Sequence, residues 1–347
     1  MTRTLRTRVA VGAGRATGWL SRATGRGQGA TISGRVMNVI APDLLEQLAA
    51  GHRVTLISAT NGKTTTTRFL AAALGAAGYT LVTNSTGANL TSGIAPTLAR
   101  ADAPGDAVLE VDERVLPKVV DPLGAHLLVF GNLSRDQLDR YGEVHAVGDA
   151  WRRVTTAHPD LAVIANASDP HVVWAAQPAD VTWVALGLGW RQDAATCPSC
   201  GALLHWDDTR FDCPTSSGGC GFAQPESPHH LDGDVLVLGG DGSDRRVPLE
   251  LALPGRWNLA NAALAVVAAV HLGVAPEDAA AAAGTVATVA GRYMRVPLGD
   301  GRSARVLLAK NPAGWSEVLH HLAGAGSPVV IAVNARIADG KDRKSVV

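Results

Sequence analysis

The chain has 347 residues, 46% of them hydrophobic and 18% charged, so it can bury sizeable cores and is not a disordered polymer. Lysine plus arginine total 31 and aspartate plus glutamate total 31, a balance that argues against a generally basic nucleic-acid binder. No apolar run approaches the roughly 18–20 residues of a membrane-crossing helix, four cysteines are too few for a secreted disulfide scaffold, and Met1–Leu5 lacks the apolar core of a secretory signal. A soluble cytoplasmic protein is the default expectation.

The balanced charge conceals an uneven one. Residues 1–42 contain Arg3, Arg6, Arg8, Arg15, Arg22, Arg26 and Arg35 and no acid before Asp43, which reads as a poorly packed basic arm ahead of a net acidic body. The simplest reading is a solvated leader; the functional one is attraction to an anionic membrane face or an acidic ligand. From residue 43 the pattern alternates. Arg53–Ser58 reads as a buried strand, followed by a polar turn and a helix over Thr65–Ala77. Strand signals recur at Tyr79–Asn84, Ala107–Glu110, Leu127–Phe130 and Leu161–Ala165, with a helix at Glu143–Thr156. This βαβα order predicts an α/β fold whose parallel sheet is covered on both faces. Residues 191–228 interrupt the pattern and hold all four cysteines. Strands at Asp234–Leu238 and Arg246–Leu253 follow, then helices at Asn258–Leu272 and Pro276–Val289. A new alternation starts near Arg292, with strands at Ala304–Leu308 and Pro328–Val333 around a helix at Trp315–Leu322.

The strongest catalytic signal is Ser58-Ala-Thr-Asn-Gly-Lys-Thr-Thr65, placed between a strand and a helix. Gly62 lets backbone amides approach an anion, Lys63 can reach terminal phosphates, and Thr64 can ligate Mg²⁺. The spacing departs from the usual phosphate loop, because Ile57 stands where the first glycine belongs. Lys63 is one of only five lysines, so its use here is informative. Glu110, at the end of a neighbouring strand, is placed as a metal-nucleotide ligand by the parallel-sheet rule; read alone it is a solvated strand-end acid.

Thr60-Asn-Gly-Lys-Thr-Thr65 resembles the ATP loop of the Mur ligase family, which includes folylpolyglutamate synthases. Four further blocks agree in order: Val108–Glu113, Gly131–Tyr141, Pro254–Ala262 and Gly291-Arg292. The resemblance implies a central ATP-binding domain over 43–290 and a C-terminal domain over 291–347. It implies Thr60, Asn61, Gly62, Lys63, Thr64 and Thr65 around the phosphates and Thr64 with Glu110 on Mg²⁺. It gives Asn258 and Asn261 to the adenine, and Arg292 to the phosphates; the alternative for the two asparagines is a helix cap and an exposed first-turn residue.

Cys197, Cys200, Cys213 and Cys220 have the spacing C-x₂-C-x₁₂-C-x₆-C, which fits a closed tetrahedral Zn²⁺ site inserted over 191–228. Reduced structural thiols or two disulfides are the alternatives. Cys213 is the least secure ligand, and His205, His229 or His230 could replace it. A Cys₄ zinc-ribbon insertion in this core resembles the MurT branch of the family, as do Thr83–Leu90, Lys310–Gly314 and Val333–Gly340. That resemblance implies ATP-dependent amidation of the D-glutamate α-carboxylate of lipid II through an acyl phosphate. Ammonia would come from a GatD-type glutamine amidotransferase subunit, in a heterodimer with no nucleic-acid partner, in the cytoplasm at the inner membrane face. Residues 141–166 contain no lysine to serve as the carbamylated metal ligand of many amino-acid-adding relatives, which favours this branch. The alternatives are an amino-acid-adding or folylpolyglutamate-synthase-like ligase, or an inactive ATP-binding remnant. The last follows from the tail: Asp339-Gly-Lys-Asp342 gives way to Arg-Lys-Ser-Val-Val347, so the expectation is an incomplete C-terminal domain and weak or absent amidation by this chain alone.

Overall fold

A computed structural model describes residues 4–24, 30–84, 89–135, 143–187, 191–207, 210–240, 242–289, 293–323 and 328–332. In chain order, three helices, α1 (Leu5–Ala23), α2 (Ala30–Ile40) and α3 (Leu44–Ala49), precede the first strand, β1 (Arg53–Ser58). Then come α4 (Lys63–Ala76), β2 (Leu81–Thr83), α5 (Thr91–Leu98), β3 (Asp106–Glu110), α6 (Leu116–Leu123) and β4 (Ala125–Phe130). The alternation continues through α7 (Glu143–Ala157), β5 (Ala162–Asn166), α8 (Pro170–Ala176) and β6 (Asp180–Ala185). The insertion carries only the short β7 (His205–Trp206) and β8 (Phe211–Asp212). Beyond it lie β9 (His229–Asp232), β10 (Val235–Leu238), β11 (Arg245–Pro248), α9 (Arg256–His271), α10 (Pro276–Gly284), β12 (Tyr293–Gly299), β13 (Arg302–Leu307) and α11 (Pro312–Leu322).

Nine strands form one sheet in the order β11-β10-β9-β6-β5-β4-β1-β3-β2. From β2 to β9 neighbours pair in parallel, and β9, β10 and β11 close one edge as antiparallel strands. The inner strands read as continuous apolar runs because both faces are buried. One core packs α1, α2, α3, α5, α6, α7 and α8 side chains against the sheet, with Phe130 stacked on Trp151 at 4.3 Å. The other packs α4, α9 and α10 on the opposite face. Helix α9 is apolar nearly all round: Ala262 to Ala269 are all buried, which suits a helix enclosed between the sheet and two other helices. The α/β fold expected from the alternation is the fold observed.

The chain leaves β1 for β2 and β3 on one side, then crosses to β4, β5 and β6 on the other. β1 is therefore the switch point of the sheet, and the carboxyl ends of β1, β3 and β4 open a crevice there.

Three expectations change. The segment before residue 43 is not a loose arm in its described parts: α1 and α2 form an antiparallel pair that buries Ala10, Val11, Met37 and Ala41 in the first core. Arginines on the outer side left the small apolar inner face easy to overlook. Helix α4 begins at Lys63, two residues earlier than expected, because Gly62 (φ 91°) supplies the turn that starts it. Residues 328–332 are not in a strand; Val330 is exposed there, and a strand needs a partner for its backbone groups. Among the described residues β12 and β13 pair only with each other.

Candidate nucleotide cleft and metal centre

The loop after β1 is fastened on both sides by neighbouring strand ends. Ser58 Oγ donates to the Val111 carbonyl at 2.8 Å, and the Ser58 carbonyl accepts the Gly131 amide at 3.0 Å. The Thr60 amide donates to Asn132 O at 2.7 Å, and Thr60 Oγ1 exchanges hydrogen bonds with the backbone of Ser134 at 3.1 Å each way. Asn132 clamps Asn61: its Oδ1 accepts the Asn61 amide at 3.1 Å and its Nδ2 donates to the Asn61 carbonyl at 2.8 Å. Asp169 steadies the partner loop, since its Oδ2 accepts the Leu133 amide while its Oδ1 caps the start of α8. Burial pushes the Asp169 carboxyl upward against the pull of His171 and of these amides.

Gly62 is required twice over. Its left-handed φ disfavours a side chain, and an added Cβ would lie 2.2 Å from Asn261 Oδ1 on α9. The first turn of α4 then presents its amides with no acceptor inside the helix, and no side chain caps them. Such a turn, at the positive end of a 14-residue helix, suits a phosphate.

Lys63 is 4% exposed. Its ammonium donates to Glu113 Oε2 at 2.8 Å and to the Ala59 carbonyl at 2.5 Å, so in this state the head group folds back beneath the loop. Glu113 ends the Val108–Glu113 block, and the sequence pattern alone assigns it no role. A buried lysine demands a carboxylate within reach, and Glu113 lies 50 residues away, beyond any local pattern. Glu110 is buried at the end of β3, in register with Ile57 of β1. The Asn84 side chain brackets its backbone, accepting from the Glu110 amide and donating to its carbonyl.

A cleft of about 550 Å³ opens at this sheet edge. Asn61, Gly62, Thr64 and Thr65 of the loop line it, and so do Asn258 and Asn261 at the start of α9. Lys63 and Glu110 are buried and do not line it. Asn258 Nδ2 donates to the Pro254 carbonyl at 2.6 Å, so the asparagine is both a brace for the helix start and a cleft wall. Arg292 lies outside the described residues. On the far side, α11 closes over the loop. Its capping residue Asn311 accepts the Gly314 amide at 2.9 Å and pairs side chain to side chain with Asn61, at 3.1 and 3.4 Å. Asn311 lies in the Lys310–Gly314 block, yet its contact with residue 61 spans 250 positions and left no local signal.

The four cysteine sulfurs lie within 4.8 Å of one another. Cys197 and Cys220 Sγ are 3.7 Å apart, and Cys200 and Cys213 Sγ are 3.5 Å apart. A tetrahedral zinc with Zn–S near 2.3 Å sets its sulfurs about 3.8 Å apart, whereas a disulfide needs about 2.05 Å, so the donor set fits a ZnS₄ site and not two bridges. Cys213 belongs to the cluster, and the Cys220 amide donates to its sulfur at 3.4 Å. The histidines are elsewhere: His205 pairs with Asp212 at 2.8 Å, and His229 and His230 lie in β9. Burial pushes the Cys197 thiol up to about 12, while the Phe222 amide brings Cys220 down to about 6. A small satellite core of Val173, Leu204, Phe211 and Phe222 surrounds the sulfurs. The insertion also reaches the cleft, where Arg191 lies over the Trp206 ring at 5.3 Å and both line the wall.

A switch-point phosphate loop under a shared helix start defines a P-loop nucleotide-binding α/β protein. The Mur ligase middle domain matches residues 57–269, more than half of the chain, and the chain belongs to the Mur ligase family. It is 28% identical over 367 aligned residues to the lipid II isoglutaminyl synthase (glutamine-hydrolyzing) subunit MurT of Streptococcus pneumoniae, covering 97% of this chain and 79% of that one. Against the same subunit from Staphylococcus aureus strain COL the identity is 29%, over 93% of this chain and 76% of that one. Among solved structures, a pseudomurein peptide ligase type C from Methanothermus fervidus superposes with a TM-score of 0.59 at 22% identity. That match covers 77% of this chain and 56% of the ligase, so the chain spans little more than half of that neighbour.

Proposed function

We propose that this chain is the ATP-dependent subunit of an enzyme that amidates a peptidoglycan precursor. It would activate the D-glutamate α-carboxylate of lipid II as an acyl phosphate, for attack by ammonia from a GatD-type glutamine amidotransferase. The observation that carries this reading is the Cys₄ cluster of an insertion whose Arg191 and Trp206 line the cleft of a Mur ligase family member, together with MurT relatives aligned over more than nine-tenths of the chain.

In this reading the first-turn amides of α4 receive the ATP phosphates, and Lys63 leaves Glu113 to follow them. Thr64 and Glu110 would hold Mg²⁺, whose charge offsets that of the two anions brought together. Asn258 and Asn261 would flank the adenine, with Arg292 assigned to the phosphates by family resemblance alone. Zn²⁺ on Cys197, Cys200, Cys213 and Cys220 would be structural, since four thiolates leave no open position for substrate.

The test is an amidation assay with full chain, partner subunit, MgATP, glutamine and lipid II, read by mass spectrometry of the stem peptide. The reading expects glutamate converted to its amide only when ATP and all components are present. Amino-acid-dependent phosphate release with no amide product would favour an amino-acid-adding ligase instead.

A further inference from the structure

We infer that the outer face of the α1–α2 pair is a docking surface for an anionic lipid bilayer. On α1, Leu5, Val9, Trp19 and Leu20 are 79%, 55%, 64% and 56% exposed. At 100° per residue they fall within an arc of roughly 100°, opposite the face that buries Ala10 and Val11. Arg8 and Arg15 border this stripe on one side and Arg6 on the other, and all three are exposed. Arg6 Nε donates to the Ile40 carbonyl at the end of α2 at 2.6 Å and Arg15 Nη2 to the Ala99 carbonyl at the end of α5 at 3.1 Å, and each guanidinium carries further donors.

Helix α2 runs antiparallel, with Gly14 of α1 close against Ser33 and Met37. It adds its own exposed line of Ile32, Arg35 and Val39, at helical spacing. A folded helix pair has no reason to expose these side chains to water. An apolar stripe edged by arginine is the composition of a helix that lies in a membrane interface, with its apolar side chains among the acyl boundary and its cations among anionic headgroups. A second copy fits poorly, because residues 1–42 carry seven arginines and no acid to pair them. No helix among the described residues is long and apolar enough to cross a membrane, so the contact is peripheral.

The proposal stands on the surface alone and needs neither nucleotide nor turnover, so it can fail while the ligase reading stands. Flotation of the full chain with vesicles of phosphatidylcholine doped with phosphatidylglycerol, against phosphatidylcholine alone, tests it. The wild type should float with the anionic vesicles and be released by salt. Trp19→Glu with Leu20→Glu should lower the bound fraction by about tenfold, and Arg8→Glu by a smaller factor, with circular dichroism and Tm unchanged. Equal flotation of the variants overturns the proposal, as does wild-type protein that stays in the buffer. A dimer that becomes monomeric with Trp19→Glu and Leu20→Glu, without loss of vesicle binding, would give the face to a second copy and overturn it as well.

Discussion

The phosphate loop and the cysteine insertion both shape one cleft, but they are held in place by different means. The loop is fixed by the sheet. Ser58, Thr60 and Asn61 are fastened to the ends of β3 and β4, and two large cores on opposite faces hold those strands. The insertion has two strands of two residues each and a handful of buried side chains. So little apolar burial leaves much of the order of these roughly 38 residues to the sulfur cluster, whose spacing suits a metal. The loop's geometry is thus expected to persist without ligand, and the insertion's is not.

The largest expected effect is on the loop. Lys63→Ala should weaken MgATP binding by about a hundredfold, since it removes the only cation in the loop. It also leaves Glu113 buried without its ammonium, a loss of about 3–5 kcal/mol in comparable pairs, so Tm should fall. Adding Glu113→Gln should restore Tm without restoring binding; calorimetry and thermal melts separate the two. If the double variant regains ATP affinity, Lys63 has only a structural role.

Cys213→Ser comes next and should act on the other region. Bound zinc, measured by atomic emission, should be lost, and proteolysis should open within 191–228. ATP affinity should fall by less than about tenfold, because the insertion gives the cleft wall Arg191, Gln192 and Trp206 but none of the phosphate-loop residues. A full loss of ATP binding would mean that the two regions are not independently held.

Gly62→Ala should lower stability by about 1–2 kcal/mol from the left-handed backbone alone, and by more from the contact with Asn261, which a thermal melt reads as a lower Tm. The smallest effect is expected for Asn311→Ala. Losing its hydrogen bonds to Asn61 and to the Gly314 amide should raise the KM for ATP by about fivefold, near 1 kcal/mol, with kcat less affected.

The features legible in the sequence were those set by local rules. The strand Arg53–Ser58 has the bounds expected, because a parallel strand buried on both faces is a continuous apolar run ended by a polar turn. Cys213 could not be settled from spacing, as the six residues before Cys220 bend through a short 3₁₀ turn that brings both sulfurs together. The pairing of Lys63 with Glu113 and of Asn61 with Asn311 joins distant segments and required the fold. The basic N-terminal stretch misled in another way: charge dominated its composition, whereas the alternating small and apolar positions that pack Ala10 and Val11 against the core were sparse.

The most direct test is a crystal structure of the full chain with magnesium and a non-hydrolysable ATP analogue. The account predicts phosphates at the amides of Gly62 to Thr65, adenine beside Asn258 and Asn261, and the Lys63 ammonium moved from Glu113 to the phosphates. Nucleotide bound elsewhere, or bound there with the Lys63–Glu113 pair intact, would contradict it.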